Sequence, residues 1–300
     1  MGVPSPTETR DRAAFLDLVE NIRPELHRYC ARMTGSVVDG EDLLQDTLLK
    51  ALVALPQPSE PAHVKAWVFR LAHNQAVDRF RSYELRMRAP LETADDPPDS
   101  GERGTPADEA LIREQAVHAA VSRFLELPPL QRSCLILKDV LDYSLDEVAD
   151  TLATSVPAVQ AALHRARSKL SQLQRDAAEP ALQTRQVSPT LARYATLFNA
   201  RDWDALRAML ADDVRLDVVA RFTKRGSSEV GSYFGRYARM SEWRVTPGWL
   251  DERAVLVVHR AADAAPQYFI EVSIEADRVV SIRDYHHVPY VAKEAQFTFC

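Results

Sequence analysis

No stretch of this chain approaches the ~20 consecutive apolar residues that a membrane-spanning helix needs, so no membrane partner is expected. The opening MGVPSPTETRDR has no apolar run, and no secretory signal is expected there. Cysteine is scarce. Cys30, Cys134 and Cys300 lie far apart, make no metal-binding spacing and read as reduced thiols of a cytoplasmic protein. No metal and no cofactor is expected. Positive charge is not in excess either: a net charge of −6 argues against a protein that coats DNA unaided.

Core material is ample, since 46% of the 300 residues are hydrophobic, and the length suits two or three domains. Residues 188–300 hold 15 basic and 15 acidic side chains, so the excess acid lies before them, where bases number 22 and acids 28. Basic residues are nonetheless clustered in that part. Lys65–Arg88 has six bases and two acids, and Val159–Arg175 has His164, Arg165, Arg167, Lys169 and Arg175 with no acid. Two short patches release few counterions and bind DNA weakly by themselves. They suit DNA contact made together with a larger partner.

The chain is organised around Ala66–Ser82, AWVFRLAHNQAVDRFRS. Trp67, Val68, Leu71, Ala72, Ala76, Val77 and Phe80 recur at helical spacing, which leaves Arg70, Asn74, Asp78, Arg79 and Arg81 on a polar face. An amide between arginines suits an opened nucleic-acid strand, because amides read base edges and guanidinium groups hold phosphates. Alone, the same pattern also describes an ordinary amphipathic helix with a solvated basic side.

Residues 1–10 read as a loose tail and Arg12–Met33 as a helix that Gly35 ends. Asp39 is the expected N-cap of a second helix, Glu41–Leu55, with Asp42, Gln45 and Asp46 as an outward acidic patch. Pro56, Pro58 and Pro61 make Leu55–Val64 a non-helical loop leading into the opening helix. Ala89–Asp108, with four prolines, two glycines and six acids, reads as a linker. Ala107–Leu127 and Leu130–Leu141 read as helices. Ser144–Glu147 fits a capping box, and Ser155 caps a longer basic helix with Val156, Val159, Leu163, Ala166, Leu170 and Leu173 as its buried stripe. A short helix, a tight turn and a longer basic helix outline a helix-turn-helix.

Together these segments resemble a bacterial sigma factor of the extracytoplasmic-function group, over roughly residues 12–175. The run Asp39-Gly-Glu-Asp-Leu-Leu-Gln-Asp-Thr47 is similar to the family's polymerase-docking region, and Ala66–Asn74 with Val77–Arg81 to the region that melts and reads the minus-ten element. Leu127–Arg132, Leu145–Ala149 and Leu163–Arg167 are similar to the domain that binds the minus-35 element. The resemblance implies two all-α domains, residues 12–88 (region 2) and 109–175 (helix-turn-helix region 4), joined by the acidic, proline-rich 89–108. It implies core polymerase contacts at Asp42, Gln45 and Asp46. Minus-ten contacts fall at Asn74, Asp78, Arg79 and Arg81, and minus-35 contacts at Gln160, Ala161, His164, Arg165 and Arg167. Ala158, Ala161 and Ala162 stand where the family often has hydrogen-bonding residues.

The rest exceeds a minimal two-domain sigma factor. Helices at Pro189–Asn199, Trp203–Leu210 and Ser227–Met240 and strands at Val214–Ala220, Val255–Arg260, Tyr268–Glu275 and Val279–Tyr285 resemble a SnoaL-like, nuclear-transport-factor-2-like α+β cone over 188–291. Such cones often enclose a pocket for a small ligand. Asp217, His259, Asp284, Tyr285, His286 and His287 are its polar candidates. On a strand, His286 and His287 point to opposite faces and cannot line one pocket together. No catalytic motif stands out, so the expected protein is a promoter-specificity subunit and not an enzyme. The cone would modulate that activity; a fusion in which it is an active cyclase or isomerase, or a small-molecule sensor, is the alternative, and a stand-alone helix-turn-helix repressor a third.

Overall fold

The computed structural model describes residues 6–54, 61–87, 116, 120–175 and 186–299. It forms two units, residues 1–180 and 181–300.

In the first unit, α1 (Pro6–Thr34) begins well before the expected start, because residues 6–10 are helical and no tail. Gly35 ends it in the left-handed region, φ +74°, where a side chain is strained. The next helix, α2 (Val37–Val53), is capped by Ser36, whose Oγ accepts from the Asp39 amide at 3.1 Å. Asp39 therefore lies inside the helix, and the cap sits three residues earlier than expected. The two helices cross closely at Gly40, where an added Cβ would lie 2.5 Å from the Ala31 backbone. The opening helix, α3, runs from Pro61 to Met87. Residues 61–64 are thus helical and not loop: proline at the first helical position has no amide to satisfy and a preset φ. Residues 55–60 and the linker 89–108 lie outside the described residues.

Of the helix expected over 107–127, the described end is a 3-10 turn, Val121–Glu126. Then follow α4 (Pro129–Leu135), a π turn at Ile136–Val140, α5 (Leu145–Leu152) and α6 (Val156–Arg175). The capping box opens α5: Ser144 Oγ accepts from the Glu147 amide, and Glu147 Oε2 accepts from the Ser144 amide at 2.8 Å. One continuous core runs through this unit. Tyr29, Phe69, Phe124, Leu137, Val148 and Leu163 belong to it, and Tyr29 meets Phe69 and Phe69 meets Tyr143 at ring distances of 5.5 and 5.8 Å.

The second unit is α+β. Helices α7 (Pro189–Ala200) and α8 (Trp203–Ala208) are followed by β1 (Leu210–Val218), β2 (Phe222–Arg225) and two short helices, α9 (Ser227–Gly231) and α10 (Phe234–Ala238). The single helix expected over 227–240 is thereby broken in two. Then come β3 (Trp243–Leu250), β4 (Arg253–Arg260), β5 (Asp263–Glu275), β6 (Arg278–Asp284), α11 (Pro289–Lys293) and β7 (Thr298–Phe299). The seven strands pair in the order β2-β1-β6-β5-β4-β3-β7, with β1 parallel to β6 and the other pairs antiparallel. Leu216, Val218, Ile270, Val272 and Ile282 turn inward to meet Tyr194, Phe198 and Phe234 of the helices. The α+β cone expected from the sequence is present, with three strands (β2, β3, β7) that hydrophobic alternation did not reveal. No helix among the described residues is long and apolar enough to cross a membrane.

Candidate nucleic-acid interface

The polar face of α3 is set by the burial of its other side. Val68, Phe69, Ala72 and Ala76 are fully buried, which leaves Asn74, Asp78, Arg79 and Arg81 exposed. Asn74 and Asp78 stand four residues apart and so share one face, one turn above the other. Between them Gln75 turns inward: its Nε2 donates to Thr47 Oγ1 at 3.0 Å, and Thr47 donates to the Leu43 carbonyl at 2.7 Å. This buried pair fixes the rotation of α3 against α2. The sequence pattern passed over it, because a polar residue beside an apolar stripe looks the same whether solvated or bonded.

Arg79 reaches across to α2 and pairs with Asp46 at 2.5 Å, both side chains being about half exposed. One ion pair thus joins a residue assigned to the minus-ten strand with one assigned to the polymerase. Of the acidic patch, Asp46 is exposed, while Asp42 and Gln45 are half-buried. Gln45 donates to the buried Glu41, which also accepts from Arg23 at 2.6 Å.

Arg70, on the same polar stripe, is turned toward the helix-turn-helix. Its Nε donates to the Thr151 carbonyl at 2.9 Å and its Nη2 to the Asp150 carbonyl, in the last turn of α5, where carbonyls lack their full intrahelical partners. Beside this contact lies a cleft of about 770 Å³ lined by Trp67, Arg70, Tyr143, Glu147 and Asp150 among others. A second link is polar and buried: Ser133 Oγ lies 2.9 Å from Tyr29 Oη and 2.8 Å from His73 Nδ1. Burial holds the His73 imidazole below its ordinary pKa. Arg132 completes the contact by donating to the carbonyls of Met33, Leu125 and Leu127.

On α6, Gln160 and His164 are exposed, and Ala161 and Arg165 are half-buried. Arg167 is engaged elsewhere. Its guanidinium forms a bidentate pair with the buried Asp139 at 2.7 and 2.8 Å, so the structure gives it a positioning role within the unit. The thiols of Cys30 and Cys134 are buried and free; desolvation pushes Cys134 up to about 12 and Cys30 further in the same direction. Cys300 lies outside the described residues. No cluster of metal-ligating side chains occurs among the described residues.

In the cone, Asp217 pairs with Arg283 at 3.2 Å on the outer face, and His259 lies against Phe299. Tyr285 stacks on Phe269 and donates to Glu271 at 2.9 Å. Of these candidates Asp284 meets Tyr233 and Tyr237 at 2.6 and 2.8 Å, and His286 and His287 lie beside it. The two histidines do not diverge as expected for a strand, because β6 ends at Asp284 and both rings follow in a turn. They meet at 5.0 Å between centroids.

Residues 18–86 match the family model Sigma-70 region 2, and residues 117–170 the model Sigma-70, region 4. The ECF RNA polymerase sigma factor SigG of Mycobacterium tuberculosis is 34% identical over 256 residues, which is 77% of this chain and 65% of that protein. The chain therefore spans about two thirds of SigG. SigW of Bacillus subtilis is 28% identical over 171 residues, 55% of this chain and 91% of SigW. Among solved structures, the Mycobacterium tuberculosis extracytoplasmic function sigma factor SigJ is similar over 90% of this chain and 95% of its own, at 21% identity and a TM-score of 0.33. A polyketide cyclase-like protein of Sinorhizobium meliloti covers 32% of this chain and 94% of its own, at 14% identity and a TM-score of 0.28. Over these residues the chain is similar to region 2 and region 4 of sigma-70 factors, in that order, and to extracytoplasmic-function sigma factors.

Proposed function

We propose that this chain is a promoter-specificity subunit that binds core RNA polymerase, recruits it to promoter DNA and opens the duplex, acting in the cytoplasm. Asp42, Gln45 and Asp46 on α2 dock on the polymerase. Asn74, Asp78, Arg79 and Arg81 take the minus-ten strand, and Gln160, Ala161, His164 and Arg165 face the minus-35 groove. The observation that carries this reading is the α2–α3 pair. An exposed amide and carboxylate share one face of α3, and Gln75 and Thr47 lock that face against the acidic helix. An amide so held can pair with a base edge, while the arginines supply sequence-independent phosphate contacts.

Sigma factors are in general not enzymes, and in this reading the cone modulates transcription without turnover. General acid–base work needs a group free to exchange a proton with substrate. Asp284 is instead occupied: it accepts from Tyr233 at 2.6 Å, Tyr237 at 2.8 Å and the His286 amide at 2.8 Å. The test is run-off transcription with purified core polymerase. The wild-type chain is expected to start transcripts at a cognate promoter. Asn74→Ala should keep core binding but lose permanganate reactivity of the melted region, and Asp42→Lys with Asp46→Lys should lose core binding with the fold intact. Unchanged opening by Asn74→Ala and unchanged core binding by the folded double variant would overturn the assignment.

A further inference from the structure

Where β6 ends, a buried carboxylate bends the chain and brings cationic groups together. Asp284 is 3% exposed, and Tyr233, Tyr237 and the His286 amide supply the three hydrogen bonds described above. The His286 amide, donating to the Asp284 carboxylate, starts the turn that takes residues 286–288 out of the sheet, after the Tyr285 amide has donated to the Phe269 carbonyl at 3.2 Å. His286 then lies against Tyr268 and Trp243, at ring distances of 4.8 and 6.0 Å. His287 Nε2 accepts from Arg236 Nη1 at 3.0 Å. The turn after β1, which carries Arg221, is tied to the same place by the Val219 amide, which donates to the Asp284 carbonyl at 3.0 Å.

The charges here are poorly matched. Among the described residues neither Arg221 nor Arg236 has a carboxylate at ion-pair distance. The hydrogen-bond partner of Arg236 is a neutral imidazole, a weak use of a planar fork whose donors fit an oxyanion bidentately. Desolvation first and Arg236 second hold His287 below its ordinary pKa; burial and Arg236 do the same to His286 against the pull of Asp284. Two further atoms at this place are buried and unpartnered: His286 Nδ1 and Trp243 Nε1. The indole nitrogen can only donate, and a buried donor without an acceptor is destabilising.

We propose that Arg221, Arg236, His286, His287 and Trp243 form a binding site for the oxyanion of a small molecule, a carboxylate or a phosphate. The anion accepts from the Arg236 fork, from Arg221 and from the Trp243 indole, and its charge offsets both arginines. With that repulsion relieved, the imidazoles take up protons and donate as well. The site stands on the geometry of the cone and does not depend on how the helical regions meet DNA.

The test is an NMR titration of the histidine ring signals of the full chain, with inorganic phosphate in one arm and benzoate in the other. Saturable shifts of His286 and His287 are expected in at least one arm, and the tighter probe names the head group. Arg221→Ala, on an exposed turn away from the core, and Arg236→Gln should each weaken that binding about tenfold or more. Arg239→Ala, exposed and outside the cluster, should leave it unchanged. The proposal is overturned if neither probe gives a saturable shift, if Arg221→Ala and Arg236→Gln bind as wild type, or if Arg239→Ala weakens binding equally. Because the readout is binding, its failure is distinguishable from loss of transcription, which tests the promoter reading alone.

Discussion

Arg165 and Arg167 show how two like residues on one helix acquire different work. At 3.6 residues per turn they point about 200° apart, so a single groove cannot take both. Arg167 turns to Asp139, whose side chain is 1% exposed. Removing one partner of a buried ion pair strands the other charge without solvent, at a cost of roughly 3–5 kcal/mol. Arg167→Ala is therefore expected to lower the urea midpoint sharply. Arg165→Ala should change stability by less than about 1 kcal/mol and weaken upstream duplex binding by roughly 1–3 kcal/mol if it reads a base bidentately. Unfolding curves and gel shifts of the two variants check this, and equal stability loss in both would sink the distinction.

At the scale of elements, α3 is the piece on which the rest converges. Thr47 of α2 holds it through Gln75, and Ser133 of α4 holds it through His73. Because burial lowers the His73 pKa, the unfolded chain takes up this proton first, near the ordinary value of about 6.5. The stability that His73 contributes is whole above that pH and is lost as pH falls toward the folded value. The denaturation midpoint should drop between about pH 7.5 and 5.5, and His73→Gln should make that drop smaller. His286 and His287 are shifted in the same direction, so the difference between wild type and variant is the quantity to measure. An identical pH dependence in both proteins would remove His73 from the account.

For the molecule, size decides what the first unit can do as it stands. A globule of about 170 residues has a radius of gyration near 15 Å and is roughly 40 Å across. Promoter elements centred about 25 base pairs apart are separated by roughly 85 Å along the duplex. One compact body with a shared core cannot lie on both at once, and Arg70 is turned into that body by the carbonyls at the end of α5. Regions 2 and 4 are therefore expected to part when polymerase and promoter bind. Dyes placed at exposed Glu20 and Lys169 should show a fall in energy transfer on forming the complex. Arg70→Ala should shift the free chain toward the same low-transfer state, and a constant distance throughout would exclude such opening.

The amino-acid sequence by itself determined the helical order, the capping box at Ser144–Glu147, the helix-turn-helix outline and the polar face of α3. These follow from local hydrogen-bonding chemistry and from spacing that repeats within one element, both of which a linear string records. Element starts such as Ser36 and Pro61 were blurred because several neighbouring residues make acceptable caps or breaks, and packing selects among them. The edge strands β2 and β7 escaped because a short strand with one neighbour carries little alternation. What only the tertiary structure decided is who meets whom: Arg167 with Asp139, Gln75 with Thr47, Arg70 with the end of α5, and His286 beside His287. Each pairing joins residues on separate elements or depends on where a strand stops. No periodicity encodes that, because burial and partner geometry arise only once the elements have packed.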